Sequence, residues 1–228
     1  VAGTTRDAID SPFNYDGKGY IIIDTAGMRR KSQIEDDSVE AYSVLRAIES
    51  VRRADVVLFV LDASQGITDQ DQKIASFVHE EGKPSVFIVN KWDKIDKNHK
   101  TMNEFNKNLA LDFTFMEYAK IIYISALTGQ RLNQIMPAVN EVYANAGKHI
   151  SMGVLNTIIA DAVASNPPAQ VGGRRLKIAY ATQGAVYPPK FLFFCNDEML
   201  VQENYKRYLE HKIRASFDFT GTPIKLLF

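Results

Sequence analysis

The sequence predicts a doubly wound α/β sheet followed by a small α+β domain. Three observations carry that prediction. Over residues 1–149, apolar runs of strand length alternate with stretches of helical periodicity. Three of those runs end in a polar motif, where an open parallel sheet holds its ligand. Near residue 150 the order changes to helix, strand, strand, helix, strand. The expected domains are therefore 1–149 and 150–228, and 228 residues suffice for two modest domains.

The elements follow in order. Residues 8–15 and 18–24 flank Asp16-Gly17, the strongest short hairpin signal. The apolar run from Tyr20 to Ile23 reads as a buried strand that delivers the chain to Asp24-Thr25-Ala26-Gly27. Residues 38–53 put Val39, Tyr42, Leu45, Ile48 and Val51 at helical spacing. Residues 55–62 are a second buried, parallel-type strand, and 69–81 a helix ending near Gly82. A third strand, 84–89, runs into Asn90-Lys91-Trp92-Asp93. Residues 100–118 are largely helical, and a fourth strand, 121–124, runs into Ser125-Ala126-Leu127. Residues 132–146 form the closing helix. The second domain reads as helix 154–164, a loop around Pro167, Pro168, Gly172 and Gly173, strands 175–182 and 190–195, helix 199–216 and strand 223–228.

Composition narrows the function less. The apolar share of 46% and charged share of 24% are those of an ordinary globular protein. Basic and acidic residues balance at 27 each, so net charge points to no partner. Residues 150–228 carry nine basic and six acidic side chains, which suggests either RNA contact or a solvated surface. The single cysteine, Cys195, excludes an internal disulfide and fits a reducing compartment. The four histidines show no metal-ligand spacing. No apolar run approaches membrane-spanning length, so no membrane partner and a cytoplasmic location are expected.

The strand-end motifs carry the chemistry. Asp24 could hold a magnesium ion through water, and Gly27, lacking a Cβ, lets a backbone N–H approach a phosphate. An ordinary Asp-Gly loop is the plainer reading of that stretch. Asn90-Lys91-Trp92-Asp93 is more specific. A carboxylate at Asp93 can accept hydrogen bonds from both N1–H and the exocyclic amine of guanine, and adenine offers no such pair. Asn90 would brace the loop and touch N7, while the Lys91 stem covers the base plane. Ser125-Ala126-Leu127 would bring a backbone N–H to the guanine O6. The plainer reading of the tetrapeptide is a charged turn.

Taken together, these residues resemble the GTPases of the translation-factor and Ras-like class. Gly3-Thr4-Thr5-Arg6-Asp7 followed by Asp24-Thr25-Ala26-Gly27 resembles the branch containing Era, the tRNA-modification GTPase and EngA (Der). The longer match is to the second GTPase domain and C-terminal domain of the EngA family. It rests on the runs 24–31, 62–68 (Asp62-Ala-Ser-Gln-Gly-Ile-Thr68), Asn90–Asp93 and Gly221-Thr222-Pro223-Ile224, and covers essentially the whole chain. The resemblance implies a P-loop NTPase-type fold with a KH-like domain behind it. It implies GTP and GDP as ligands, with Thr5 and Asp24 on magnesium and a potassium ion near Thr4. It implies that the Gly27 N–H senses the γ-phosphate, and that Thr25, Ala26 and Met28 line the nucleotide. Met28 stands where Ras-like proteins place a water-orienting glutamine. A thioether cannot orient water, so unaided hydrolysis should be slow. The implied role is a switch in large ribosomal subunit assembly, with that subunit or its rRNA as partner.

The sequence also departs from the family. No Gly-x-x-x-x-Gly-Lys-Ser/Thr cradle occurs in it, nor the strand that leads into one. The expectation is a longer polypeptide whose upstream residues supply strand, cradle and helix, with a further G domain upstream as a partner in the same polypeptide. Without that central strand, two sheet edges and part of the core should stand open, and the chain as given should not turn over GTP. Residues 150–228 also lack the Gly-x-x-Gly loop with which KH domains clamp RNA. The basic groups Arg174, Arg175 and Lys177, or Lys206, Arg207 and Lys212, remain candidates for phosphate contact, and interdomain packing is the other reading. Arg29, Arg30 and Lys31 read either as a nucleotide-dependent contact or as a solvated loop. Two other functions stay open: a binding module on a degenerate G domain, and an Era-like RNA-binding GTPase.

Overall fold

Strands β1 (Asp10–Tyr15) and β2 (Lys18–Ile23) pair antiparallel, with Tyr15 opposite Lys18. The turn between them, Asp16-Gly17, takes φ of 49° and 73°. Two left-handed residues in succession match the twist of the flanking strands, which is why Asp-Gly is favoured there. In this computed structural model the described residues are 10–23, 48–96 and 100–228. The helix α1 is described over 48–53.

The first domain continues as β3 (Val57–Asp62), α2 (Asp69–Glu80), β4 (Ser85–Asn90), α3 (Thr101–Asp112), β5 (Lys120–Tyr123) and α4 (Ile135–Ala146). The strands form a parallel sheet in the order β3-β4-β5. Helical crossovers are what allow parallel neighbours. The first, α2, starts at Thr68, whose hydroxyl accepts from the Asp71 N–H while Asp71 Oδ2 accepts from the Thr68 N–H. This reciprocal cap satisfies two donors that a helix start otherwise leaves bare.

The central strand β4 is buried on both faces. Phe87 and Val89 pack with Phe59, Leu61, Val78 and Leu109 on the side of α2 and α3. Val86 and Ile88 pack with Ile122, Ala138 and Val142 on the side of α4.

Two expected buried strands are corrected by the structure. Ile21 and Ile22 of β2 are 63% and 54% exposed, and Leu58 and Val60 of β3 are 42% and 56% exposed. The cause lies in the pairing: among the described residues β2 bonds only to β1, and β3 is an edge strand. On the α4 side, the core packing recorded for that helix involves β4 and β5.

The second domain runs α5 (Met152–Ser165), a short ribbon β6 (Gln170–Val171) and β7 (Arg174–Arg175), β8 (Ile178–Ala185), β9 (Lys190–Cys195), α6 (Glu203–Ser216) and β10 (Lys225–Leu227). β9 is central, antiparallel to β8 and parallel to β10. Leu155 and Ile159 of α5, Leu209 and Ile213 of α6, and Phe191 and Phe193 of β9 make its core.

The two domains meet at the tail, residues 219–224. The Gly221 carbonyl accepts from the Ser85 N–H at 2.7 Å, and the Gly221 N–H donates to the Tyr118 carbonyl at 2.6 Å. The Thr222 hydroxyl donates to the Val142 carbonyl at 3.1 Å. Ser85 begins β4, so the tail docks at the end of the sheet opposite to Asn90.

Candidate functional site

The parallel register brings three strand ends to one level: Asp62 pairs with Asn90, and Val89 with Tyr123. The loops that follow are joined chiefly through Asn90. Its carbonyl accepts from the Ala63 N–H at 3.0 Å, which ties the loop after β3. Its side-chain Oδ1 accepts from the Lys91 N–H at 2.7 Å and from the Ala126 N–H at 3.0 Å, which ties the loop after β5. The brace expected of Asn90 is thus present in atomic detail.

Lys91 sits in the left-handed region, with φ 60° and ψ 31°. That turn lets the chain leave β4 and enter the short 3-10 turn Trp92–Lys94. The Trp92 side chain is only 3% exposed and packs against Tyr123 and Phe105, with ring centroids 4.4 and 5.6 Å away. The Trp92 N–H donates to the Ile124 carbonyl at 3.0 Å. So Trp92, expected to line a nucleotide, anchors the loop in the core and carries Asp93 on that anchor.

Ser125 is fully buried, and its hydroxyl accepts from the Thr128 N–H at 3.1 Å. The turn closes through the Ser125 N–H to the Gln130 carbonyl, leaving Ala126 and Leu127 exposed.

One participant escaped the sequence reading. Asp62, 8% exposed, accepts the Lys91 Nζ at 2.5 Å through Oδ2. Its Oδ1 accepts from the Ser64 hydroxyl at 2.6 Å and the Ser64 N–H at 2.9 Å. Burial pushes the Asp62 carboxyl up, but the hydrogen bonds from Lys91 and Ser64 outweigh it and hold it at about 2. Because this lies below the usual 3.8, the pair is intact above about pH 4 and is lost as pH falls toward 2. The sequence signal for Asp62 was an acid closing an apolar strand.

Thr5, Asp24, Thr25, Ala26, Gly27 and Met28 lie outside the described residues, as do Arg29, Arg30 and Lys31. The structure joins Asn90 to Lys91 and to the 125–127 turn, and Asp93 follows two residues later on the same loop. Among the described residues no helix is long and apolar enough to cross a membrane.

Comparison with known proteins bears on this geometry in two ways. A family model described as a 50S ribosome-binding GTPase matches residues 1–91. A second, described as the C-terminal KH-domain-like part of EngA bacterial GTPase enzymes, matches residues 149–228. Proteins named GTPase Der match over 227 residues, all of this chain. That of Desulfitobacterium hafniense is 50% identical, with 51% of its own length covered. Those of Alkaliphilus oremlandii and Staphylococcus aureus are 50% and 48% identical, with 51% and 52% covered. The chain thus spans about half the length of the curated relatives it matches. Among solved structures, Era in complex with MgGDPNP and a segment of 16S ribosomal RNA aligns at a TM-score of 0.52 and 22% identity. That alignment takes in 100% of this chain and 81% of Era, and at this identity it speaks for the fold alone. With a GTPase model and the EngA-type KH-like model in tandem, and half of its residues shared with GTPase Der along its whole length, the chain belongs to the EngA (Der) family of bacterial GTPases.

Proposed function

We propose that this chain is the guanine-reading part of a GTP-hydrolysing switch that acts in assembly of the large ribosomal subunit. One observation carries the reading: Asn90 ties the loops after β3, β4 and β5 together, and Asp93 rides on the loop it ties. Such bracing holds a carboxylate in place before any ligand arrives, and preorganisation is what makes a base-reading site selective. With its oxygen engaged by two amides, Asn90 has its NH2 to offer the guanine N7. Asp93 accepts from N1–H and the exocyclic amine, and a backbone N–H of the 125–127 turn meets O6.

The phosphate half is assigned to the residues before β3. Asp24 and Thr5 would hold magnesium, the Gly27 N–H would meet the γ-phosphate, and Thr25, Ala26 and Met28 would line the nucleotide. Magnesium spreads the charge that develops on the phosphoryl oxygens. The cradle and its strand come from residues upstream in the same polypeptide, which also carries a further G domain. With Met28 unable to orient water, stabilising charge would come from elsewhere, a monovalent cation such as potassium or a partner. The partner is the large subunit or its rRNA, and the site of action is the cytoplasm. The domain boundary falls near residue 149, where the EngA-type KH-like match begins.

The test is GTP turnover by the full polypeptide in potassium and in sodium buffers. The reading expects turnover that is faster in potassium. A full polypeptide that binds GTP and never cleaves it would sink the hydrolase and leave a binding module.

A further inference from the structure

Resting on the guanine reading above, we propose that Asp62 is a positioning residue of the base-reading loop, whose carboxylate holds the Lys91 ammonium and so fixes the lysine stem as a wall for the purine ring. The run that begins at Asp62 carries the family resemblance without any role in the site as proposed so far. Its position explains what it can do. Asp62 is the last residue of β3 and stands opposite Asn90 in the sheet register. The stem of Lys91 therefore bridges two neighbouring strand ends, from its own backbone after β4 to the acid that closes β3.

Both ends of that bridge are fixed. At the backbone end, the Lys91 N–H is held by Asn90 Oδ1 at 2.7 Å. At the far end, Nζ lies 2.5 Å from Asp62 Oδ2. The acid is itself clamped from behind: Ser64 donates to Oδ1 through its hydroxyl and its amide. A serine two residues on thus prevents the carboxylate from swinging away with its partner.

The chemistry favours a positioning role over a stabilising one. The Lys91 side chain is 43% exposed and that of Asp62 is 9% exposed, so one partner of the ion pair still touches water. Such half-wet pairs add little to folding. A lysine stem that is free in the unbound protein must be immobilised when a ligand stacks on it, and that cost weakens binding. Fixing it beforehand removes the cost. Asp62 thereby acts on affinity through Lys91 without touching the nucleotide.

The experiment is a double-mutant cycle on the full polypeptide, titrating GDP into the unmutated protein, Asp62→Asn, Lys91→Met and the double variant. Methionine keeps most of the stem and drops the ammonium. The proposal expects Asp62→Asn to weaken GDP binding by about tenfold, the scale of one long side chain that must be immobilised. It expects Lys91→Met to abolish that effect, so that the double variant binds no worse than Lys91→Met alone. Unchanged affinity in Asp62→Asn overturns it. An equal loss in both backgrounds also overturns it, because a merely structural acid acts whether or not the ammonium is present. Failure of the unmutated protein to bind GDP is a failure of the guanine reading itself and takes both down. Binding with an additive cycle is a failure of Asp62 alone.

Discussion

A single oxygen, Asn90 Oδ1, accepts from amides on two loops whose sequence positions differ by 35 residues. Replacing it with a methyl leaves both donors without their acceptor. Asn90→Ala should cost about 2 kcal/mol, roughly 1 for each hydrogen bond lost. Urea denaturation reads the loss, and faster hydrogen exchange at the Ala126 amide locates it. Unchanged exchange there would mean that the loops are held by something else. At this scale the sequence was readable where chemistry is local. Asn90, Lys91 and Asp93 are neighbours at the end of one apolar strand, so their type and order speak together. Asp62 was not readable as a partner of Lys91, because only the sheet register places residues 29 apart side by side. The place of the Trp92 side chain was not readable either: the turn after Lys91 sends the indole into the core.

Elements were legible where periodicity decides them, and less so where a side chain redirects the backbone. The helix expected from 199 begins instead at Glu203. Asp197 accepts the Met199 N–H at 3.0 Å and folds residues 198–200 into a 3-10 turn, after which Val201 is extended. The ribbon of β6 and β7 read as loop because it has two residues a side; its turn is Gly172-Gly173, at φ 58° and 76°. Burial of β2 and β3 was overestimated because an apolar run shows what could be covered, and pairing decides what is. At the end of α2, His79 Nδ1 lies 3.0 Å from the Tyr118 hydroxyl. Burial pushes the His79 pKa down, and Lys225 and Arg214 add to this, while Glu210 and Glu80 oppose it. Burial also pushes the Tyr118 phenol up, so it stays protonated and can donate to a neutral ring. A histidine whose folded pKa is depressed stabilises the fold above its unfolded value of 6.5 and loses that contribution as pH falls below it. The melting temperature should therefore drop as pH falls below 6.5, and His79→Gln should flatten that drop. An identical slope in the variant would contradict the assignment.

At the scale of the whole molecule, β4 has two occupied ends. Its carboxyl end bears the loop 90–93, and its amino end takes the tail of the second domain at Gly221. Gly221 stands at φ 75°, and a Cβ there would lie 2.2 Å from Val142 Cγ2, a fully buried side chain of α4. Gly221→Ala should cost about 2–4 kcal/mol, combining left-handed strain with overpacking. Adding Val142→Ala should give a loss smaller than the two single losses summed, since it vacates the space the new methyl needs. Additive losses would show that the tail does not pack as described. The family could be read from the sequence because its motifs fall in order along the whole chain. How the tail joins the sheet could not, since its partners at Ser85, Tyr118 and Val142 are backbone groups that no residue type marks in the sequence. What the whole account depends on is that Asp93 reads guanine. The most direct measurement is binding of GDP and of xanthosine diphosphate to the full polypeptide and to its Asp93→Asn variant. An amide at 93 can donate to the C2 oxygen of xanthine but cannot accept from both donors of guanine. The account predicts loss of GDP binding with a gain for the xanthine nucleotide; equal GDP affinity in the two proteins would contradict it.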